Sequence, residues 1–144
     1  MIFSTYPQIT TFCLSHLARH NVGNFALREL IHCVDDDGII NEILESLKPD
    51  LIELSSNKFG CFIVQSLVNS LCDRDFAEMK KHFIGHRRLM NTICNSYGSR
   101  TMQKMISRME YKELVGFVKV VKGELIEMAC DQHGTYGSGG NDLF

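Results

Sequence analysis

Asn57-Lys-Phe-Gly-Cys-Phe-Ile-Val-Gln-Ser-Leu-Val-Asn-Ser-Leu71 reads as a turn that leads into a helix with two different faces. At about 100° per residue, with Cys61 at zero, Gln65 falls only about 40° away. Ile63, Leu67, Leu71, Val64 and Val68 fill an arc from about 200° to about 340°, which is a buried stripe. Gly60 reads as the turn residue ahead of the helix. Phe62 stands outside the stripe, beside Cys61 and Gln65. A large ring kept out of the core next to small and polar groups suits a surface that stacks a flat ligand and hydrogen-bonds its edge.

Working outward, the same punctuation recurs. His20-Asn-Val-Gly23, Asn57-Lys-Phe-Gly60, Asn95-Ser-Tyr-Gly98 and Asp131-Gln-His-Gly134 place their glycines 37, 38 and 36 residues apart. Asn24-Phe-Ala-Leu-Arg28, Cys61-Phe-Ile-Val-Gln65 and Ser99-Arg-Thr-Met-Gln103 follow in register, with Thr135-Tyr136 opening a fourth copy. Ahead of each glycine lies a run with helical spacing: Ile9–Arg19, Ile39–Leu54, Phe76–Cys94 (interrupted near Gly85) and Tyr111–Cys130 (interrupted near Gly123). Each unit therefore reads as a helix, a short turn and a glycine-led helix. Such a pair cannot bury its apolar stripe alone, so neighbours must stack. The expected fold is all-α, an α-solenoid of three complete repeats and a broken fourth in one domain over residues 1–144. The approximate units are 1–37, 38–72, 73–109 and 110–144. Gly137-Ser-Gly-Gly140 would end the last helix early, because each glycine costs about 1 kcal/mol relative to alanine. The stripe Leu114, Val118, Val121, Leu125 and Met128 would then be partly uncovered, which predicts self-association or a partner there.

Composition narrows the function. With 144 residues and 22% charged side chains, the chain can build a real core. A formal charge of −2 argues against the broad basic footprint that grips duplex DNA. Met1–Pro7 does not read as a secretory leader, and no run approaches the roughly 18 apolar residues of a membrane span. Cys13, Cys33, Cys61, Cys72, Cys94 and Cys130 are scattered without a C-x-x-C pair, which favours reduced thiols in an intracellular setting.

Asn-Lys-Phe-Gly60-Cys-Phe-Ile-Val-Gln65 and Asn-Ser-Tyr-Gly98-Ser-Arg-Thr-Met-Gln103 closely resemble the RNA-reading helix of Pumilio (PUF) repeats, as does Asp131-Gln-His-Gly-Thr-Tyr136. The resemblance implies that each repeat offers one RNA base two edge-reading side chains, four residues apart, and a stacking side chain after the first. Carried over, the edge pairs are Asn24/Arg28, Cys61/Gln65 and Ser99/Gln103, and the stackers are Phe25, Phe62, Arg100 and Tyr136. A small residue with Gln implies adenine at units two and three. RNA running antiparallel to the chain then makes the core 5′-A-A-3′. Arg28 departs from the family's Asn/Gln pairing, and a phosphate contact is its alternative role. The implied function is sequence-selective binding of single-stranded RNA, an mRNA, in post-transcriptional regulation with protein partners in the cytoplasm. A nucleolar Pumilio-like ribosome-assembly factor and a protein-binding helical scaffold without RNA readout are the rival readings.

No catalytic residue, cofactor or metal site is expected, and no membrane partner. His82-Phe-Ile-Gly-His86 lacks the Glu of the zinc-protease motif. Cys130, His133 and Cys94 are too few at coherent spacing for zinc. Asp35-Asp36-Asp37-Gly38 fits a helix cap better than a calcium loop.

Overall fold

The structure, a computed structural model, describes residues 7–135, with side chains from residue 11 to residue 131. Its helices are α1 (Pro7–Arg19), α2 (Gly23–Cys33), α3 (Asp37–Leu47), α4 (Leu51–Ser55), α5 (Gly60–Ser70), α6 (Asp73–Ile84), α7 (Leu89–Cys94), α8 (Gly98–Arg108) and α9 (Tyr111–Thr135). One 3-10 turn, Lys48–Asp50, separates α3 from α4. No strand occurs among the described residues.

One expectation about the first helices needs correction. Ile39–Leu54 was expected as one run, yet it divides into α3 and α4. Pro49 has no N–H to give to a continuing α-helix and sits at the start of the 3-10 turn between them. Phe76–Cys94 divides into α6 and α7 around Gly85–Arg88, at the interruption expected near Gly85. Units two and three therefore hold three helices each, the middle one short. The fourth unit departs in the opposite sense, since α9 runs without a break through Gly116, Gly123 and the Asp131–Gly134 tetrad. Added methyl groups at Gly116 and Gly123 would meet open space. An isolated glycine costs about 1 kcal/mol, which a long helical run absorbs.

Capping fixes the junctions. Asp36 ends the acidic connector by accepting the Ile39 N–H on Oδ1 at 3.1 Å, as the cap reading requires. Asp73 and Asp75 sit in the first turn of α6, where the helix dipole favours negative charge.

The described residues fall into two compact units that part between Arg108 and Met109. The first is an α-solenoid. Its glycine-led helices lie side by side, α2 against α5 and α5 against α8, while α1, α4 and α7 back onto them. Leu27 and Ile31 from α2, Ile63, Val64 and Leu67 from α5, and Met102 and Met105 from α8 form the core with Ile43, Leu44, Leu47 and Leu54. This is the arc that the helical spacing marked as buried. On the other side Glu53 joins successive units, meeting Arg19 at 3.7 Å and Arg88 at 3.0 Å. Arg108, at the end of α8, donates to the Val68 carbonyl at 2.6 Å and lies 4.3 Å from the Phe76 ring centroid. It thus satisfies an orphan carbonyl in the last turn of α5 while covering α6.

The second unit contains α9. Glu113 accepts the Glu110 N–H at 2.8 Å and so caps its start. Tyr111, Val115, Val118, Leu125, Ile126 and Met128 are exposed along it. No helix among the described residues is long and apolar enough to cross a membrane.

His82 in α6 gives the fold a pH dependence. Burial lowers its pKa below the ordinary 6.5, helped by His86 and Lys48, while the Lys48 carbonyl and Glu45 act the other way. Because the folded-state value is the lower one, the unfolded chain binds the proton first on acidification. The contribution is complete above about pH 6.5 and declines as pH falls below it. Thermal melts should therefore show a lower midpoint at pH 5 than at pH 7.5, with a smaller difference in His82→Gln; an unchanged difference would rule out His82 as a contributor.

Candidate nucleic-acid interface

The start of each glycine-led helix is built the same way. Asn57 Oδ1 accepts the N–H groups of Phe59 and Gly60 at 3.0 and 2.9 Å, and Asn95 Oδ1 accepts those of Tyr97 and Gly98 at 2.9 and 3.0 Å. In the first unit His20 Nδ1 takes the same two positions, toward Val22 and Gly23. These caps satisfy N–H groups that the first helical turn leaves free. They were missed as functional residues, although their fixed place three positions before each glycine was visible.

The glycines themselves are not turn residues in the sense expected. No described glycine has positive φ, and Gly23, Gly60 and Gly98 each open a helix. They are required for close approach instead. A Cβ at Gly98 would lie 2.2 Å from the Thr92 carbonyl oxygen, and one at Gly60 would lie 2.8 Å from that of Leu54. The end of each short helix thus presses on the first turn of the next, which sets the rotation at which α5 and α8 present their second and third residues.

From this footing the sequence-selected residues can be placed. On α5, Phe62 and Gln65 are half-buried at the surface, but Cys61 is only 1% exposed. Cys61, expected beside the stripe as an edge-reading residue, is thus covered by its neighbours. Its Sγ leans on the Lys58 carbonyl at 3.5 Å, since a side chain this small cannot reach past the neighbouring helices. Burial pushes the Cys61 thiol up, and the charges of Arg100 and Arg28 act against that rise. Arg28 from α2 and Arg100 from α8 therefore both act on the same spot of α5. Gln65 keeps its amide nitrogen buried without a partner. On α8, Ser99, Arg100 and Gln103 are all exposed, so the whole triplet is available to a ligand.

The first unit is different. Phe25 is 61% exposed, whereas Asn24 is 1% exposed and turned inward. Asn24 Nδ2 donates to the carbonyls of His20 and Asn21 at 2.8 and 3.0 Å, which closes its own helix start. Its Oδ1 is buried and unpaired. Arg28 lies over two rings, its Cζ 5.8 Å from the Phe25 centroid and 4.8 Å from the Phe62 centroid. The expected solvent-facing pair Asn24/Arg28 is thus not presented: one member caps a turn and the other is stacked. Tyr136 lies outside the described residues.

No group of three or more His, Cys, Asp or Glu side chains is arranged for a metal among the described residues. What the surface offers is a row of flat groups, Phe25, Arg28, Phe62 and Arg100, with amide and hydroxyl groups beside them.

Comparison with known proteins bears on this row. A family model described as Pumilio-family RNA binding repeat matches residues 50–78, 93–113 and 124–136. Pumilio homolog 9 from Arabidopsis thaliana is 27% identical over 125 residues, covering 83% of this chain and 22% of that protein. The fold superposes on a Puf4 double mutant solved with a Cox17 RNA 3′ UTR recognition sequence, with a TM-score of 0.72. That match is 16% identical and covers 84% of this chain and 40% of the other. The matched segments of the chain are Pumilio-type repeats. It spans less than half the length of either of these relatives. The matched Pumilio segments hold Cys61, Phe62 and Gln65 in the first and Ser99, Arg100 and Gln103 in the second. Asn24, Phe25 and Arg28 fall outside them, in the unit whose side chains are also arranged differently.

Proposed function

We propose that this Pumilio-repeat chain binds single-stranded RNA along the face of α2, α5 and α8, with the repeat units divided near residues 37, 72 and 109. Phe62 and Arg100 stack bases, Cys61/Gln65 and Ser99/Gln103 read base edges, and both read units select adenine, giving 5′-A-A-3′. The observation that carries the reading is Phe62 itself, an aromatic ring held at the surface between a small buried thiol and a glutamine with an unpaired amide nitrogen. A buried donor left without a partner costs about 1–3 kcal/mol, and rotation of Gln65 outward to an acceptor on a base edge would relieve it. The family and the Puf4–RNA likeness point the same way.

Magnitude bounds the affinity. Stacking contributes about 1–3 kcal/mol per base, so the two read units supply about 2–6 kcal/mol before association costs. Micromolar binding requires about 8 kcal/mol. Binding by these units alone is therefore weak, and regulation of an mRNA by the whole protein would use more contacts than these two bases provide.

The test is an anisotropy titration with labelled eight-nucleotide RNAs that carry A-A or U-U at the centre. Saturable binding that favours A-A, and a preference at the second base that disappears in Gln65→Ala, is the expected result. Equal binding of both RNAs by the unaltered protein would overturn the readout and favour a helical scaffold for protein partners.

A further inference from the structure

We infer that Arg28 is a built-in plug: its guanidinium lies over the rings of both Phe25 and Phe62 and covers the faces a base would use, so that the read sequence stops at unit two. This rests on the RNA-binding reading above and adds a boundary to it.

Two independent observations carry the inference. The first is occupancy. A planar guanidinium over an aromatic face within about 6 Å of the centroid makes a cation–π contact, and Arg28 makes one with each ring. The same planarity lets a base stack there, and a ring face covered by the guanidinium is not open to a base at the same time. Phe25 and Arg28 are three residues apart on α2, hence on one face, so the contact is built into the helix. Among the described residues no ion pair draws Arg28 elsewhere. The second observation is readout. Asn24 is committed to the His20 and Asn21 carbonyls, so unit one presents no edge pair even with the rings uncovered. Units two and three have no such plug, since their corresponding residues are Gln65 and Gln103.

With the RNA antiparallel, the base 3′ to the A-A core meets the plug. It remains unstacked unless it displaces a guanidinium held by two rings. The second adenine uses the other side of Phe62, toward Arg100, and Arg28 supports the ring from behind.

The experiment has two arms. In the first, NMR of the free protein should place the Arg28 side-chain signals upfield through the ring currents, and Phe62→Leu should move them back toward ordinary shifts, leaving the smaller contribution of Phe25. Arg28 signals at ordinary shifts in the unaltered protein would overturn the plug. In the second, 2-aminopurine is placed either at the second adenine or at the next 3′ base of the eight-nucleotide RNA. Binding should quench the first probe and leave the second bright. In Arg28→Ala the second probe should be quenched as well, with affinity for that RNA rising about two- to five-fold. A 3′ probe already quenched in the unaltered protein, or bright in both proteins, would overturn the inference. If the upfield signals are present but no RNA probe responds in either protein, the RNA-binding reading has failed and takes the boundary with it.

Discussion

Gly98→Ala should lower the thermal midpoint by roughly 3–8 °C, while the same change at Gly23 leaves it within about 3 °C. The two substitutions add one methyl group to the same position of the first and third repeats, and they differ in what the methyl meets. At Gly98 it would lie 2.2 Å from the Thr92 carbonyl oxygen, 3.0 Å from its carbonyl carbon and 2.9 Å from Cγ2. Two of those atoms are backbone, so α7 or α8 must shift. Overpacking of this kind costs about 1–3 kcal/mol, and here the upper part of that range applies. At Gly60 the neighbours are Leu54 O and Cδ2, both at 2.8 Å, which predicts an intermediate loss. At Gly23 the tightest contact is Leu17 Cδ1 at 2.5 Å, the far end of a side chain that is itself partly exposed and free to turn. Alanine also forms helix better than glycine by about 0.5–1 kcal/mol, which offsets the small cost at Gly23 and leaves most of it at Gly98. Melts of the three variants followed by circular dichroism would check the order. Equal losses at Gly23 and Gly98 would mean that the glycines serve backbone conformation and not close approach.

That comparison also marks what a sequence of this kind discloses. The repeat was legible because its punctuation is local: a polar cap, a glycine and a helical stripe recur at nearly constant spacing, and stripe positions such as Ile63, Val64 and Leu67 are indeed buried. The reason for the glycine was not legible. An Asn-x-x-Gly tetrad suggests a left-handed turn, and only the packed neighbour shows that the missing Cβ makes room for a carbonyl six residues earlier. The division of the long first helices was half visible, since Pro49 should have counted against a continuous Ile39–Leu54. The continuity of α9 was not legible, because an isolated glycine such as Gly123 reads as a break although a long helix absorbs its cost. At the surface, angular position separated Phe62 from the core but could not tell Cys61 from it, because a small side chain at the margin of a stripe is covered by its larger neighbours. Asn24 likewise lies buried where its angular position alone would leave it at the surface. Its amide finds two carbonyls of its own turn, a local competition that short polar side chains near helix starts often win. The i, i+3 relation of Phe25 and Arg28 could have been read on the helix, whereas the contact of Arg28 with Phe62 is tertiary and could not.

Phe62→Ala should weaken binding of the A-A RNA by about 5- to 150-fold, the largest loss expected from any single side chain on this face. The range corresponds to about 1–3 kcal/mol for the stacking of one base. The upper half is favoured by the position of the ring. Arg28 backs it at 4.8 Å, and Cys61 and Gln65 flank it on the same helix, so little freedom is lost when a base arrives. Truncation would also release Arg28 from one of its two rings and let water in beside it, which weakens the neighbouring edge contacts. Arg100→Ala should cost less at ordinary salt, because an exposed guanidinium that is not held over two rings must be ordered on binding. The two losses should also differ in kind. Raising the salt should shrink the Arg100 effect, which includes attraction to phosphates, and leave the Phe62 effect almost unchanged. Anisotropy titrations of both variants at two salt concentrations, with circular dichroism to confirm the helices, separate stacking from charge. If Phe62→Ala bound the A-A RNA as tightly as the unaltered protein, this face of α5 could not be where RNA is held.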